Sequence, residues 1–288
     1  MLIIKNLTFS FRKKCIFKNL NLEIPQGRIV GLVAPNGTGK STLINLLLNN
    51  LKPQAGYVEY MGIRYKNERD VIRLHKKICA FPDQSDLFPF MTGKDHLKLY
   101  ASLWNNDKRN VDKIISRLNM NNYINQKVEL YSLGMKQRLC FAMVVAADTP
   151  VMLLDEVMNG LDPQNVQLIS KELLRLKSEN KLIIMASHLL ANLQEYADEV
   201  IFLKDRKIAK IFDQDSETKK YLKMASDDFK RTAMGLDAKI LANGLTIIDL
   251  ANIDDEQLTT LLSNLVRDNI SYSIEPLNLD DIFNLLYG

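Results

Sequence analysis

Gly31-Leu32-Val33-Ala34-Pro35-Asn36-Gly37-Thr38-Gly39-Lys40-Ser41-Thr42 is the stretch whose reading decides the fold. The largely apolar run 28–33 enters a glycine-rich loop, and the loop enters a second apolar run, 42–48. Strand, loop and helix in that order build a phosphate-binding loop. The glycines let backbone N–H groups close around phosphate oxygens, and the helix N-terminus aims a partial positive charge at the same place. Asn36, Gly37, Thr38, Gly39, Lys40, Ser41 and Thr42 are therefore the expected phosphate-binding residues. Lys40 brings a full charge to the outer phosphates, and the Ser41 hydroxyl is suited to Mg²⁺. One departure has a physical consequence, because Ala34 stands where the pattern usually begins with glycine. Alanine fits there only with a negative φ, since a forced positive φ costs an L-residue about 1–2 kcal/mol.

Outward from this loop, the 288 residues allow one large domain or two small ones. An apolar fraction of 47% and a charged fraction of 25% describe an ordinary globular chain. A formal charge of +4 does not call for nucleic acid. Cys15, Cys79 and Cys140 form no C-x-x-C pair and read as reduced, mostly buried cysteines of a cytosolic protein. The residues from Met1 to Lys5 lack a signal-peptide pattern. No apolar run approaches the roughly 18 residues a membrane helix needs, so a membrane role has to come through a partner.

The first segments, 2–10 and 15–24, alternate apolar and polar residues as an antiparallel β lobe, and 56–60 is a further short strand. From 91 to 147 the pattern becomes helical, opening with a capping box at Thr92-Gly93-Lys94-Asp95. Strand and helix then alternate: strand 151–154, a helix begun by Asp162-Pro163, strand 182–186, helix 191–197, and strands 200–203 and 208–212. Such alternation implies a mainly parallel sheet covered on both faces. The segment 213–239 reads as a linker, and 240–288 reads as a small, acidic α+β appendage with strands near 247–250 and 272–274 and helices near 255–266 and 279–286.

The second chemical element is Val151-Met152-Leu153-Leu154-Asp155-Glu156, an apolar strand ending in two carboxylates. Parallel sheets place their sites at the C-terminal edge of such strands. Asp155 is then expected to hold Mg²⁺, directly or through water. Glu156 is expected to accept a proton from an attacking water, a role that contributes roughly 10²–10⁴ in rate.

The third element is Tyr131-Ser132-Leu133-Gly134-Met135-Lys136-Gln137-Arg138. Here the chain resembles the ATP-binding subunits of ABC transporters, whose signature is Leu-Ser-Gly-Gly-Gln followed by basic residues and Gln. Ser132, Gly134 and the Lys136-Gln137-Arg138 tail match, while Tyr131, Leu133 and Met135 depart from it. Asn159-Gly160-Leu161-Asp162 resembles the family's D-loop, with Val157-Met158 replacing the common Pro-Thr. Ser187-His188 resembles its switch histidine; His75 and His96 have no such context. Phe11 matches the aromatic that stacks on adenine, with Phe9 as the alternate. Either Asp83 or Gln84 falls where the family's Q-loop residue reaches Mg²⁺.

The resemblance covers about 1–212, and again 279–283. It implies a P-loop NTPase of the ABC ATPase type: α/β, with a mainly parallel core sheet, an antiparallel β lobe and a helical subdomain at about 91–147. It also implies ATP and Mg²⁺ as ligands, and hydrolysis by Glu156, His188 and Lys40. Two subunits, identical or related, would meet head to tail, with Ser132 and Gly134 of one gripping the ATP of the other. Both would sit on the cytoplasmic face of the membrane beneath a membrane-spanning permease, contacted through 83–104 and its aromatics Phe88, Phe90 and Trp104. The Ala34 and Ser-Leu-Gly-Met-Lys-Gln-Arg variants are most similar to exporters of bacitracin, lantibiotics and related peptides. A soluble ABC ATPase acting on DNA or ribosomes is the alternative; such proteins usually carry two nucleotide domains or a long coiled coil, and this chain has one phosphate loop and no sustained heptads. A non-hydrolysing regulatory subunit is a third reading, opposed by Glu156 and His188.

Overall fold

A computed structural model describes residues 1–104, 110–214, 219–232 and 236–288. The chain divides into two compact units, Met1–Leu189 with Tyr196–Ile211, and Leu190–Glu195 with Phe212–Gly288.

The first unit begins with β1 (Leu2–Phe11) and β2 (Lys14–Ile24), an antiparallel pair with Leu2 opposite Ile24 and Ile4 opposite Leu22. Their inward residues are buried and their outward ones exposed, as period-two alternation requires. β3 (Ile29–Val33) follows and is buried throughout, then α1 (Lys40–Leu47). β4 (Ala55–Tyr60) returns antiparallel to β1, and β5 (Ile63–Arg64) closes the four-stranded sheet β2-β1-β4-β5. Next come α2 (Glu68–His75), β6 (Ile78–Ala80), and the helical subdomain α3 (Gly93–Leu103), α4 (Val111–Arg117) and α5 (Leu133–Ala147). The capping box at Thr92 and Asp95 is present. Val111, Ile114, Ile115 and Leu118 form the buried face of α4 and its C-terminal residue.

The alternating part supplies β7 (Val151–Asp155), α6 (Pro163–Ser178), β8 (Leu182–Ala186), α7 (Leu190–Tyr196), β9 (Glu199–Lys204) and β10 (Lys207–Asp213). Together with β3 and β6 they form a six-stranded sheet in the order β10-β9-β3-β8-β7-β6. The pairs β9–β3, β3–β8, β8–β7 and β7–β6 are all parallel. One apolar core joins this sheet to the β lobe, with Phe17, Tyr60, Leu32, Ile184 and Ile201 among its buried members. The register matters for chemistry. Ala186 of β8 pairs with Leu32 of β3 on one side and with Asp155 of β7 on the other. The ends of three strands are thereby set level at one edge of the sheet.

α2 and β6 lie outside the elements expected from sequence. α2 is only eight residues long, carries few apolar residues and buries only Leu74, and β6 is three residues long, so neither stands out as a sustained periodic segment. Cys79 and Cys140 are buried, Cys15 is half-buried, and all three are free thiols.

The second unit corrects the expected linker at 213–239. Its stretches 215–218 and 233–235 lie outside the described residues. Between them are β11 (Tyr221–Ala225) and α8 (Ser226–Thr232), so this segment supplies the centre of a sheet. β12 (Lys239–Ile240), β13 (Leu245–Asp249), α9 (Asp255–Arg267), β14 (Tyr272–Glu275) and α10 (Leu279–Tyr287) complete the unit. The sheet order is β12-β13-β11-β14, with each neighbouring pair antiparallel. The chain order β11-α8-β12-β13-α9-β14 is that of a split βαβ module. Leu222 and Met224 of β11 pack with Ile248 and with Leu261 and Leu265 of α9. Lys223 points to the other side of the strand, where its ammonium lies 2.5 Å from Asp281 of α10 and 3.1 Å from Glu275. A lysine on a buried position interrupts the apolar pattern, which is why β11 does not read as a strand.

Lys223 and Asp281 have side chains only 5% and 2% exposed, so the buried cation is compensated by Asp281 and by the more exposed Glu275, and Asp281 by Lys223. Lys223→Ala is expected to destabilise the second unit by about 3–5 kcal/mol. Replacing both, as Lys223→Met with Asp281→Leu, should recover most of that loss. Urea unfolding with hydrogen exchange of the β11 and β13 amides in the full chain measures both changes.

Candidate active site

The phosphate loop joins β3 to α1 as the sequence requires. Ala34 is buried and is not among the positive-φ residues, so the alanine departure is accommodated without strain. Gly37 and Gly39 carry φ of +75° and +121°. A Cβ on Gly39 would lie 2.8 Å from Ile16 Cγ2 and 2.9 Å from Phe17 Cζ, so this glycine also lets the loop press against β2. Lys40 is buried, and its Nζ donates to the Ala34 carbonyl at 2.5 Å. Burial pushes the Lys40 pKa down, against the opposing pull of the Glu156 and Asp155 carboxylates.

The level register of β3, β8 and β7 brings the remaining groups to this loop. Ser41 Oγ donates to Asp155 Oδ2 at 2.8 Å, across 114 residues of sequence. A hydroxyl and a carboxylate side by side form a hard-oxygen donor set that fits Mg²⁺. Glu156 follows on the next residue with φ +52°, a left-handed conformation uncommon for a side chain of its size. Its N–H donates to the Ala186 carbonyl at 3.0 Å. His188 Nε2 lies 3.1 Å from Glu156 Oε1, and Asn159 Nδ2 donates to Glu156 Oε2 at 2.5 Å. Both carboxylate oxygens are thus held. Lys40, Ser41, Asp155, Glu156 and His188 are drawn together at one edge of the sheet, as the sequence predicts.

The signature segment opens α5. Ser132 is its N-cap and accepts from the Met135 N–H at 3.3 Å. Leu133 is exposed, and Gly134 lies close to Leu161, where a Cβ would meet its Cδ2 at 3.7 Å. Tyr131 is buried, its hydroxyl donates to the Tyr123 carbonyl, and burial pushes its pKa to about 12. Arg138 donates to the Leu118 and Asn119 carbonyls and to the Asn165 side chain. Val157 and Met158 are both buried. Gln137 also belongs to the site, although sequence reasoning used it only as part of a matching tail. It is buried on α5, and its amide donates to the carbonyls of Glu156 and Val157. Apart from that match, its sequence-level signal was slight, an uncharged polar residue between Lys136 and Arg138 near the start of α5.

Phe11 is 47% exposed, whereas Phe9 is buried in the core and meets the Phe11 ring edge-on at 4.8 Å. Of the two aromatics, only Phe11 offers a free face. A cleft of 690 Å³ is lined by Ser41, Asp155 and Glu156, and by Asp83, Gln84 and Gln137. Within it, Asp83 accepts from the Ser85 N–H and Oγ, and these bonds hold its carboxyl below the usual range. Gln84 instead donates to Gln137 Oε1 at 2.5 Å. The adjoining loop exposes Phe88 and Phe90, but Trp104, expected with them, is half-buried and donates to the His75 carbonyl. His96, without context in the sequence, pins that loop: its buried ring accepts from the Phe88 N–H at 2.9 Å and donates to the Thr92 carbonyl.

Comparison with known proteins shows the family and the fold. The family described as ABC transporter matches residues 17–159. The chain is 31% identical over 208 residues to the lantibiotic transport ATP-binding protein SrtF of Streptococcus pyogenes, covering 72% of this chain and 89% of that protein. It is 28% identical over 297 residues to the bacitracin transport ATP-binding protein BcrA of Enterococcus faecalis, covering 99% and 95%. The latter similarity therefore runs through the second unit. Among solved structures, the dimeric bacterial ABC transporter cassette MJ0796 shares the fold, with a TM-score of 0.67 at 23% identity over 74% of this chain and 99% of that one.

Because burial outweighs the nearby carboxylates at Lys40, the fold is opposed by this group wherever it is charged. That penalty falls only as pH rises through the lowered pKa. Lys40→Met is expected to leave the nucleotide-free protein at least as stable in thermal melting, and to abolish the rise in melting temperature that ATP produces in the parent.

Proposed function

The chain belongs to the ABC transporter ATP-binding family and is an ATPase, and we propose that it powers export of a peptide antibiotic or related cargo through a membrane-spanning permease. The convergence of the phosphate loop with Asp155, Glu156 and His188 is the observation that carries this reading. The exporter class is supported by similarity to proteins named for lantibiotic and bacitracin transport. Among the described residues no helix is long and apolar enough to cross a membrane, so the reading requires a membrane partner.

In this reading Phe11 stacks on the adenine and residues 36–42 hold the phosphates. Lys40 places its charge on the outer phosphates; its release from the Ala34 carbonyl to an anion relieves a desolvated cation. Ser41 and Asp155 would hold Mg²⁺, which when bound offsets the phosphate charge; Asp83 and Gln84 are the further candidates. Glu156 takes the proton from the attacking water. His188 and Asn159, each on one oxygen of Glu156, keep that carboxylate aimed, and His188 also faces the γ-phosphate. A second subunit, identical or related, supplies Ser132 and Gly134 head to tail. The γ-phosphate then recruits donors from both chains, and its loss on hydrolysis loosens the pair. The pair works at the cytoplasmic face of the membrane, and the exposed Phe88 and Phe90 receive a short helix of the permease.

Glu156→Gln should preserve ATP binding, slow hydrolysis by roughly 10²–10⁴ and accumulate a dimer with ATP on gel filtration. An unaltered hydrolysis rate would exclude Glu156 as the base. Changing Phe88 and Phe90 together to Ala should abolish co-purification with the permease while circular dichroism remains that of the parent. Unchanged co-purification would rule out this loop as the docking surface.

A further inference from the structure

Glu156 has to be held in place, because a residue with a Cβ does not stay at φ +52° unless its surroundings impose it. The turn is pinned by the Glu156 N–H on Ala186, by the Asn159 N–H on the Glu156 carbonyl at 3.1 Å, and by one buried side chain, Gln137. Gln137 Nε2 donates to the carbonyls of Glu156 at 3.1 Å and Val157 at 2.9 Å. Carbonyls only accept, so the amide nitrogen must face the turn and Oε1 must face away from it. There it accepts from Gln84 Nε2 at 2.5 Å. Gln137 is only 6% exposed, and both ends of its amide are engaged. A chain of hydrogen bonds therefore runs from the loop at Gln84, through α5, to the backbone of Glu156.

We propose that Gln137 is a positioning residue for Glu156, linking the Gln84 loop and the signature helix to the aim of the catalytic carboxylate within a single subunit. This rests on the reading of Glu156 as the base. Without the Gln137 donors, the buried Val157 carbonyl loses that side-chain partner, the Glu156 carbonyl keeps only the Asn159 N–H, and the left-handed turn loses a side-chain support. The carboxylate then leaves the line held by His188 and Asn159. ATP binding is untouched, because the phosphate loop makes no contact with Gln137 among the hydrogen bonds described. Movement of the Gln84 loop changes the same turn through Gln137 Oε1, so hydrolysis responds to the position of that loop.

The experiment uses the full chain with ATP, measuring single-turnover hydrolysis, ATP affinity and melting temperature. Gln137→Leu removes both donors, Gln137→Met does so with a more flexible side chain, and Gln84→Leu cuts the outer link together with any Mg²⁺ contact of that residue. Both Gln137 variants should hydrolyse at least about ten-fold more slowly with ATP affinity within about two-fold of the parent, and Gln84→Leu should also be slower than the parent. In a Glu156→Gln background, adding Gln137→Leu should cause no further loss, since a residue that acts through Glu156 has nothing left to act on. A parental rate in Gln137→Met would overturn the proposal, as would a loss that multiplies fully with Glu156→Gln. So would a fall in rate that only tracks a fall in ATP affinity. Should Gln137→Leu fail to fold, Gln137→Met decides the matter. A parental rate in Glu156→Gln would instead sink the base assignment itself, whereas a slow Glu156→Gln beside a fast Gln137→Met sinks only the positioning role.

Discussion

The parallel register of β3, β8 and β7 is the constraint on which the site depends. Ala186 sits between Leu32 and Asp155, so the phosphate loop, the carboxylate pair and the histidine all leave the sheet at the same level. In a parallel sheet a one-residue slip turns every side chain to the opposite face. Here such a slip would move Asp155 away from Ser41. Because β3 and β8 are buried on both faces, the register is held by the parallel ladders and by the fit of individual side chains rather than by an apolar–polar alternation. Packing of apolar side chains thereby sets the geometry of polar ones.

The site keeps groups in conditions they do not prefer. Lys40 is a cation pushed toward neutrality by burial, and Glu156 is a large residue in a left-handed turn. Each costs stability, of the order of 1–3 kcal/mol for a strained backbone position. Each also prepares the site for an anion with a water beside it. Hydrogen bonds donated by Asn159 and Gln137, and the one that the Glu156 N–H donates to the Ala186 carbonyl, over-determine the Glu156 turn, which is how such a conformation persists.

The second unit solves a different problem. Its sheet has an apolar core on one face, built from β11, β13 and α9. On the other face a buried ion pair between Lys223 and Asp281 joins β11 to α10. A single buried pair adds little net stability but strongly disfavours other placements of the helix that would leave either charge alone. The charge count from 240 onward is misleading in this light, since two of its acids, Glu275 and Asp281, are partners of Lys223.

Local chemistry was enough to place the phosphate loop, the Asp155-Glu156 strand end, the Thr92 capping box and the Asp162-Pro163 helix start, because each is a run of neighbouring residues with one physical reading. Family resemblance then assigned His188 and Phe11. Sequence was silent about β6 and α2, which are too short to show a sustained period, and it misread β11, whose buried lysine looks like linker composition. It also could not choose between Asp83 and Gln84, whose surroundings differ only in space: one is turned onto Ser85, the other onto Gln137. By itself, then, the sequence determined the strand–loop–helix of the phosphate site, the alternating α/β order and the chemical identity of the acidic and basic groups. Only the tertiary structure decided that Gln137 reaches Glu156 and that Lys223 finds Asp281. Those contacts join residues separated by tens of positions through packing, and no local pattern encodes where a side chain on one element will meet the backbone or side chain of another.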